Sequence, residues 1–289
     1  MMKIAITGAQ GLFGHGLVQA CRRQHTVFPL TRQDVDITDA ARVEEVIGHL
    51  RPDVVIHAAA IPDPDVCEAE PAKAFQVNFH GTRNVAQAAK RIGAGVAYIS
   101  SDAVFDGKKK TPYQETDPTA PPTVYGRTKL RGEEATRALD RWWVFRLCVM
   151  FGPGKLNFIT KGLQRIQTGQ EYVVAADQMG NAAYTLDAAA KILEVIEAGN
   201  LGLYHLANRG ACDRLELARK AAELAGLDPA RVVGKPSAKM GRRAVRLKYS
   251  VMAMDALQAA SIKLPRPWQE ALAQYIQTLD LRNYTQRPK

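Results

Sequence analysis

The chain has 289 residues, 46% of them hydrophobic and 24% charged, and a formal net charge of +10. That is the balance of a soluble globular protein, large enough for one α/β domain with a smaller one appended. No apolar stretch approaches the length of a bilayer span, and the start, Met1-Met2-Lys3-Ile4-Ala5-Ile6-Thr7-Gly8, has too short an apolar run for a signal peptide. A cytoplasmic location without a membrane partner is therefore expected.

Residues 3–7 form a short apolar run ending in a glycine loop, which predicts a first strand, and residues 12–22 carry helical spacing. A second strand is expected over 26–30, a second helix over 40–50, and over 53–57 an almost wholly apolar third strand, covered on both faces. Residues 71–91 predict one long helix, 95–100 a fourth strand, and 102–122 a long loop of the kind that is usually functional or mobile. A helix over 123–139 and a strand over 142–147 follow. Beyond Phe151-Gly152-Pro153-Gly154 the elements shorten, with helices expected over 158–167, 186–197, 214–225 and 268–279. The alternation predicts a doubly wound parallel α/β sheet, Rossmann-like, over residues 1–150. Most of 151–289 is expected to form a smaller substrate-binding domain, with some chain returning to the first.

Cys21, Cys67, Cys148 and Cys212 are scattered, with no CxxC pair and no histidines at metal spacing. They read as buried thiols in a reducing compartment, and no metal site is expected. The basic residues are mostly interleaved with acidic ones and no nucleic-acid-reading motif accompanies them, so nucleic acid is not an expected partner. Residues 231–248 differ, with seven basic residues and no acidic one. They are either a solvated loop or a cradle for an anionic substrate.

Four motifs carry chemistry. The first is Thr7-Gly8-Ala9-Gln10-Gly11-Leu12-Phe13-Gly14, placed directly after the first strand. Glycines let the chain turn tightly and the backbone approach a pyrophosphate, and the helix N-terminus offers N–H groups to the phosphates. The second is Leu30-Thr31-Arg32 at the end of the second strand. An NAD site places an acidic residue there, whereas the Arg32 guanidinium suits the extra phosphate of NADP. NADPH is thus expected over NADH.

The third is Tyr125-Gly126-Arg127-Thr128-Lys129, which puts a phenol and an ammonium on one helix face. The adjacent cation is expected to favour the phenolate and fit Tyr125 for acid–base work. The fourth, Ser100-Ser101-Asp102, ends the fourth strand, where a hydroxyl can hold a developing oxyanion.

In this order and spacing the motifs resemble the extended short-chain dehydrogenase/reductase superfamily, and within it the dTDP-4-dehydrorhamnose reductase family. Arg51-Pro52-Asp53-Val54-Val55-Ile56-His57-Ala58-Ala59-Ala60, Val77-Asn78-Phe79-His80-Gly81-Thr82 and Ser100-Ser101-Asp102-Ala103-Val104-Phe105-Asp106-Gly107 carry the likeness most closely. It continues through Val124 to Glu133 and, more loosely, through Asp177-Gln178-Met179-Gly180 and Leu264-Pro265-Arg266-Pro267-Trp268. The resemblance implies a triad of Ser101, Tyr125 and Lys129, with Lys129 also reaching the nicotinamide ribose. It implies cofactor contacts at Gly8, Gln10, Gly11, Leu12, Phe13, Gly14 and Arg32, the backbone of Ala58, Ala59 and Ala60 along the cofactor, Asn78 positioning that region, and Asp36 and Ile37 beside the adenine. Asp102, Ala103, Val149, Asn157 and Arg246 are the candidates for the substrate side.

The implied activity is NADPH-dependent reduction of a keto group on a nucleotide-activated deoxysugar. Two related readings stay open: an epimerase or dehydratase that retains NAD, and a non-catalytic binding subunit like the regulatory subunit of methionine adenosyltransferase. The family usually has a tyrosine where Ala103 stands, a tryptophan at Val149 and Pro-Thr at Ala182-Ala183. Those departures leave the sugar itself open. The resemblance allows a homodimer. The acidic residue that some members use for a magnesium-linked dimer is missing, with His15 and Gly16 in that neighbourhood.

Overall fold

The computed structural model describes residues 1–279. Six strands form one wholly parallel sheet in the order β2-β1-β3-β4-β5-β9. They are β1 (Lys3–Thr7), β2 (Thr26–Leu30), β3 (Val54–His57), β4 (Gly95–Ser101), β5 (Trp142–Leu147) and β9 (Gly202–His205). Every residue of β3 and β4 is buried, because helices cover both faces of the central strands. α1 (Leu12–Cys21) and α8 (Thr185–Glu197) pack together on one face, over a core that includes Leu17, Ile56, Phe145 and Ile192. On the other face lie α2 (Ala40–Leu50), α5 (Thr82–Arg91) and α6 (Val124–Arg137). From β1 the chain goes to β2 on one side and then to β3 on the other. This strand-order reversal opens a crevice beyond the carboxyl ends of β1 and β3, the usual ligand site of an open α/β sheet.

The helix expected over 71–91 is helical throughout but not uniform. α3 (Pro64–Ala69) and α4 (Pro71–Phe75) lead into a π-helical turn, Gln76–Gly81, before α5. The wider turn carries Asn78 inward, where it accepts from Ile61 N at 2.7 Å and donates to Ile61 O at 3.1 Å and Thr128 Oγ1 at 3.1 Å. One buried amide thus ties the loop after β3 to α6, the sort of role for which such insertions recur.

Residues beyond Leu147 build a second core. Phe151, Leu163, Tyr184, Trp268 and Tyr275 are buried together. Around them lie β6 (Val149–Phe151) paired with β8 (Ala182–Tyr184), and β7 (Tyr172–Ala175) paired with β10 (Val232–Lys235). α7 (Phe158–Gln167), α9 (Arg214–Leu224) and α11 (Trp268–Gln277) cover these pairs. α8, β9 and the short α10 (Asp255–Ala259) return to the large sheet. No helix among the described residues is long and apolar enough to cross a membrane, and no cluster of His, Cys, Asp and Glu among them could hold a metal ion.

Candidate active site

A cavity of about 360 Å³ opens where the carboxyl end of β4 meets the second core. Ser101, Asp102, Ala103 and Tyr125 form its wall from the large sheet, and Cys148, Val149, Gln178, Arg214, Arg242 and Arg246 face them from the other side. Tyr125 comes from the first turn of α6. Thr123 caps that helix, its Oγ1 accepting from Gly126 N at 3.0 Å, so the phenol is set at the start of a rigid element.

Ser101 Oγ donates to Asp102 Oδ1 at 3.0 Å and accepts from Ala103 N at 3.2 Å. Asp102 Oδ2 accepts from Ser250 Oγ at 2.7 Å, so a chain of hydroxyl and carboxyl groups joins the segment before α10 to Ser101. Burial pushes the Asp102 carboxyl above its ordinary range, against the pull of Ser250 and Arg214. Burial likewise pushes the Tyr125 phenol well above 10, with a hydrogen bond to Ser101 opposing it. The expectation that the lysine would favour a phenolate therefore gives way to desolvation: Tyr125 stays protonated, the form a proton donor needs.

Lys129 does not line the cavity. It lies behind it, 3% exposed, with Nζ donating to Ile99 O at 2.5 Å and standing 4.2 Å from the centre of the Tyr98 ring. Burial lowers its pKa to about 7, with Glu133 and Cys67 acting in the opposite sense.

The cofactor candidates gather at the crevice. Gly8 has φ +71° and its Cα lies so near the turn after β3 that an added Cβ would stand 2.7 Å from Ala59 N. Only glycine permits that approach, and it brings Ala58, Ala59 and Ala60 beside the glycine loop. α1 begins at Leu12 after Gly11, with no side chain capping its first N–H groups. Those donors stay available to phosphate oxygens. The Arg32 side chain is 87% exposed and, among the described residues, reaches only Asp36, at 3.4 Å. The other Asp36 oxygen accepts from Thr38 N and Oγ1, so Asp36 shapes its own turn. Ile37 is buried under Gly81. Gln10 is exposed on the glycine loop, and Phe13 and Gly14 are buried against the sheet.

On the substrate side Asp102, Ala103 and Val149 border the cavity, but Asn157 does not. It caps α7, accepting from Ile159 N at 3.0 Å, and its amide donates to Gly152 O at 2.9 Å and Tyr275 Oη at 2.8 Å. Its amide and carbonyl are taken up by holding a helix end inside the second core. Arg246 borders the cavity, yet it is paired with Asp65 of α3.

Sequence reasoning missed Arg214, Ser250 and the part of Gln178. Gln178 is 8% exposed, and both its Nε2 and Arg214 Nη1 are buried without a hydrogen-bond partner among the described residues. Two orphaned donors in one cavity call for acceptor oxygens on a ligand. Nothing in the local pattern marks Arg214, which is simply the first residue of a helix capped by Asp213.

The family profile described as RmlD substrate binding domain matches residues 2–281. The spore coat polysaccharide biosynthesis protein SpsK of Bacillus subtilis is 36% identical over 96% of this chain and 98% of its own length. A dTDP-4-dehydrorhamnose reductase of Streptomyces griseus is 36% identical over 93% of this chain and 91% of its own length. Among solved structures, the dTDP-4-dehydrorhamnose reductase of Bacillus anthracis in complex with NADP superposes with a TM-score of 0.93 at 30% identity, covering 96% of this chain and 99% of that one.

Proposed function

The chain belongs to the RmlD substrate binding domain family, and from that premise we propose that it is an NADPH-dependent reductase of a keto group on a nucleotide-activated deoxysugar. The observation that carries the reading is the meeting of Ser101 and protonated Tyr125 on one cavity wall, with Lys129 behind them and the glycine loop at the neighbouring crevice. The NADP complex of the Bacillus anthracis relative supports the choice of cofactor. The crevice fits it too: the Gly8–Ala59 approach leaves a backbone cradle, the start of α1 offers free N–H groups, and Arg32 is an exposed guanidinium at the end of β2, held only by a long 3.4 Å contact to Asp36 among the described residues.

NADPH supplies the hydride when bound. Tyr125 gives its phenolic proton to the carbonyl oxygen as charge develops there, so that one hydride and one proton convert the ketone to the alcohol. Ser101 turns its hydroxyl from Asp102 toward that oxygen and holds it. Lys129 in its protonated form, which burial confines to pH below about 7, puts positive charge behind the phenol and stabilises the negative charge left on Tyr125. Gln178 and Arg214 direct their unpartnered donors at the substrate, and with Arg242 they give the cavity a positive side suited to the diphosphate of a nucleotide carrier. Most of residues 151–289 then serve as the substrate-binding domain, with some chain returning to the first.

The test is NADPH oxidation followed at saturating cofactor against a panel of nucleotide-linked keto sugars, with NADH in parallel. The reading predicts turnover of at least one 4-keto-6-deoxy sugar with NADPH preferred. Absence of turnover across the panel, or tightly held NAD in the purified protein, contradicts it.

A further inference from the structure

Lys129 carries an ammonium in a nearly waterless place, and among the described residues no carboxylate bonds to it. Glu133, one turn along α6, is committed elsewhere. It holds Arg146 of β5 through Nε at 2.9 Å and Nη2 at 2.8 Å, and accepts from Ser100 Oγ at 2.6 Å. What remains at Nζ is the Ile99 carbonyl and the face of the Tyr98 ring.

We propose that Tyr98 is a positioning residue whose ring face seats the Lys129 ammonium, so that the charge and direction of the lysine depend on the ring and not on its hydroxyl. The ring is placed for that purpose. Tyr98 is fully buried on β4, and its hydroxyl is occupied away from the ammonium, by a long 3.5 Å bond to Lys129 O and a hydrogen bond with Thr82. α6 clears it with a glycine: a Cβ on Gly132 would stand 2.3 Å from the Tyr98 oxygen, so any other residue would push the helix, and Lys129 with it, off the ring.

The ring in turn stacks on His57 of β3, with centroids 5.8 Å apart and planes at 24°. Thr7 Oγ1 pins His57 Nδ1 at 2.6 Å and Thr82 Oγ1 pins Nε2 at 3.0 Å. A stack thus runs from the last residue of β1, at the glycine loop, through His57 and Tyr98 to the lysine. His57 adds no second cation, because burial and then Lys129 lower its pKa to about 3. The other ionisable groups bearing on Lys129 are Glu133 on its own helix and Cys67 from α3. Asp102, after β4, is held by Ser250, and the π-helical turn and α5 contribute only the uncharged Asn78 and Thr82 at this level.

The consequence for turnover rests on the reductase reading, whereas the seating itself does not. Protein labelled at lysine Cε with carbon-13, with Lys129→Arg to identify the resonance, reports the Lys129 titration without cofactor or substrate. Tyr98→Phe is expected to leave the midpoint in place, and Tyr98→Leu to lower it by about one pH unit, the size of a desolvated cation–π contact. Should Tyr98→Leu not fold, fluorinated phenylalanines at position 98 keep the shape while weakening the ring face. The midpoint is then expected to fall stepwise with fluorine number. A midpoint that ignores the Leu variant or the fluorine series, or that drops equally in Tyr98→Phe, overturns the proposal. Activity on the keto sugar serves as the second readout. The alkaline fall of kcat/KM should move with the Lys129 midpoint, and a moving midpoint without any turnover would fault the reductase reading alone.

Discussion

Arg246, which borders the cavity, and Asp65 form a two-point ion pair, Nη2 to Oδ2 at 2.7 Å and Nη1 to Oδ1 at 3.2 Å. Ala244 N adds a third bond to Asp65 Oδ1 at 2.8 Å, so the basic segment over 231–248 is fastened to α3, which packs against α6. The pair satisfies most of the Arg246 charge and makes this residue a fastener of the cavity wall, leaving Arg242 and Arg214 as the cations open to a substrate.

Asp65→Ala should therefore raise KM for the nucleotide sugar by roughly threefold to tenfold, the worth of a partly exposed bidentate pair, with NADPH affinity unaltered. Burial pushes the Asp65 carboxyl up, but the Ala244 N–H and Arg246 outweigh it and hold the group below its ordinary range. The fastening is thus present at neutral pH and is lost only as pH falls through that lowered value. Steady-state kinetics with a parallel cofactor titration decide the matter, and equal losses in both would show a general disturbance of the fold.

Tyr125→Phe should lower kcat by about a hundredfold or more, because the proton donor is removed while the hydride source is untouched. NADPH binding, measured by fluorescence titration, should stay near wild type. A variant keeping a tenth of the rate would pass the role of acid to another group.

Arg32→Ala should weaken NADPH by about ten- to a hundredfold and leave NADH nearly unchanged, since only the former has a 2′-phosphate for a charge-assisted bond. Titration of both cofactors separates this outcome from equal losses, which would reduce Arg32 to a support of its own turn.

Ala103 and Val149 border the cavity where the resembling reductases usually carry rings. The space left by them favours a bulkier or differently substituted sugar, and dTDP-4-dehydrorhamnose is expected to be a poor substrate. Ala103→Tyr combined with Val149→Trp should raise its use relative to the native substrate in competition assays. Wild-type turnover of it with kcat/KM above roughly 10⁴ M⁻¹s⁻¹ would remove the idea.

His57 and His205 are buried, and desolvation lowers both from the ordinary 6.5 to about 3. The unfolded chain binds these two protons before the folded one does, so stability is full above pH 6.5 and falls as pH drops toward 3. Thermal unfolding should show that fall. His57→Asn should start from a lower Tm, with Thr7 and Thr82 short of a partner, and then decline less steeply over the same window.

Features set within a few residues of chain could be read from the sequence. The alternation of β1 to β5 with their helices, the glycine loop, Arg32 at the end of β2 and the i, i+4 spacing of Tyr125 and Lys129 were all legible. Backbone periodicity and turn chemistry are local properties, and the strand-order rule then places their ends at one crevice. What the side chains do there depends on partners far away in sequence, which periodicity does not specify. Arg246 and Asp65 are 181 residues apart, and Asn157 and Tyr275 are 118 apart. The helical pattern over 71–91 gave no sign that one π-helical turn would carry Asn78 to Thr128. Even the local Tyr125–Lys129 spacing misled about charge. Only packing showed that burial outweighs the nearby cation at the phenol, and that the ammonium meets the Tyr98 ring and the Ile99 carbonyl. Desolvation and pairing are set by everything that surrounds a group, and for Tyr125 and Lys129 those surroundings exist only once β4, α3 and α6 have closed around them.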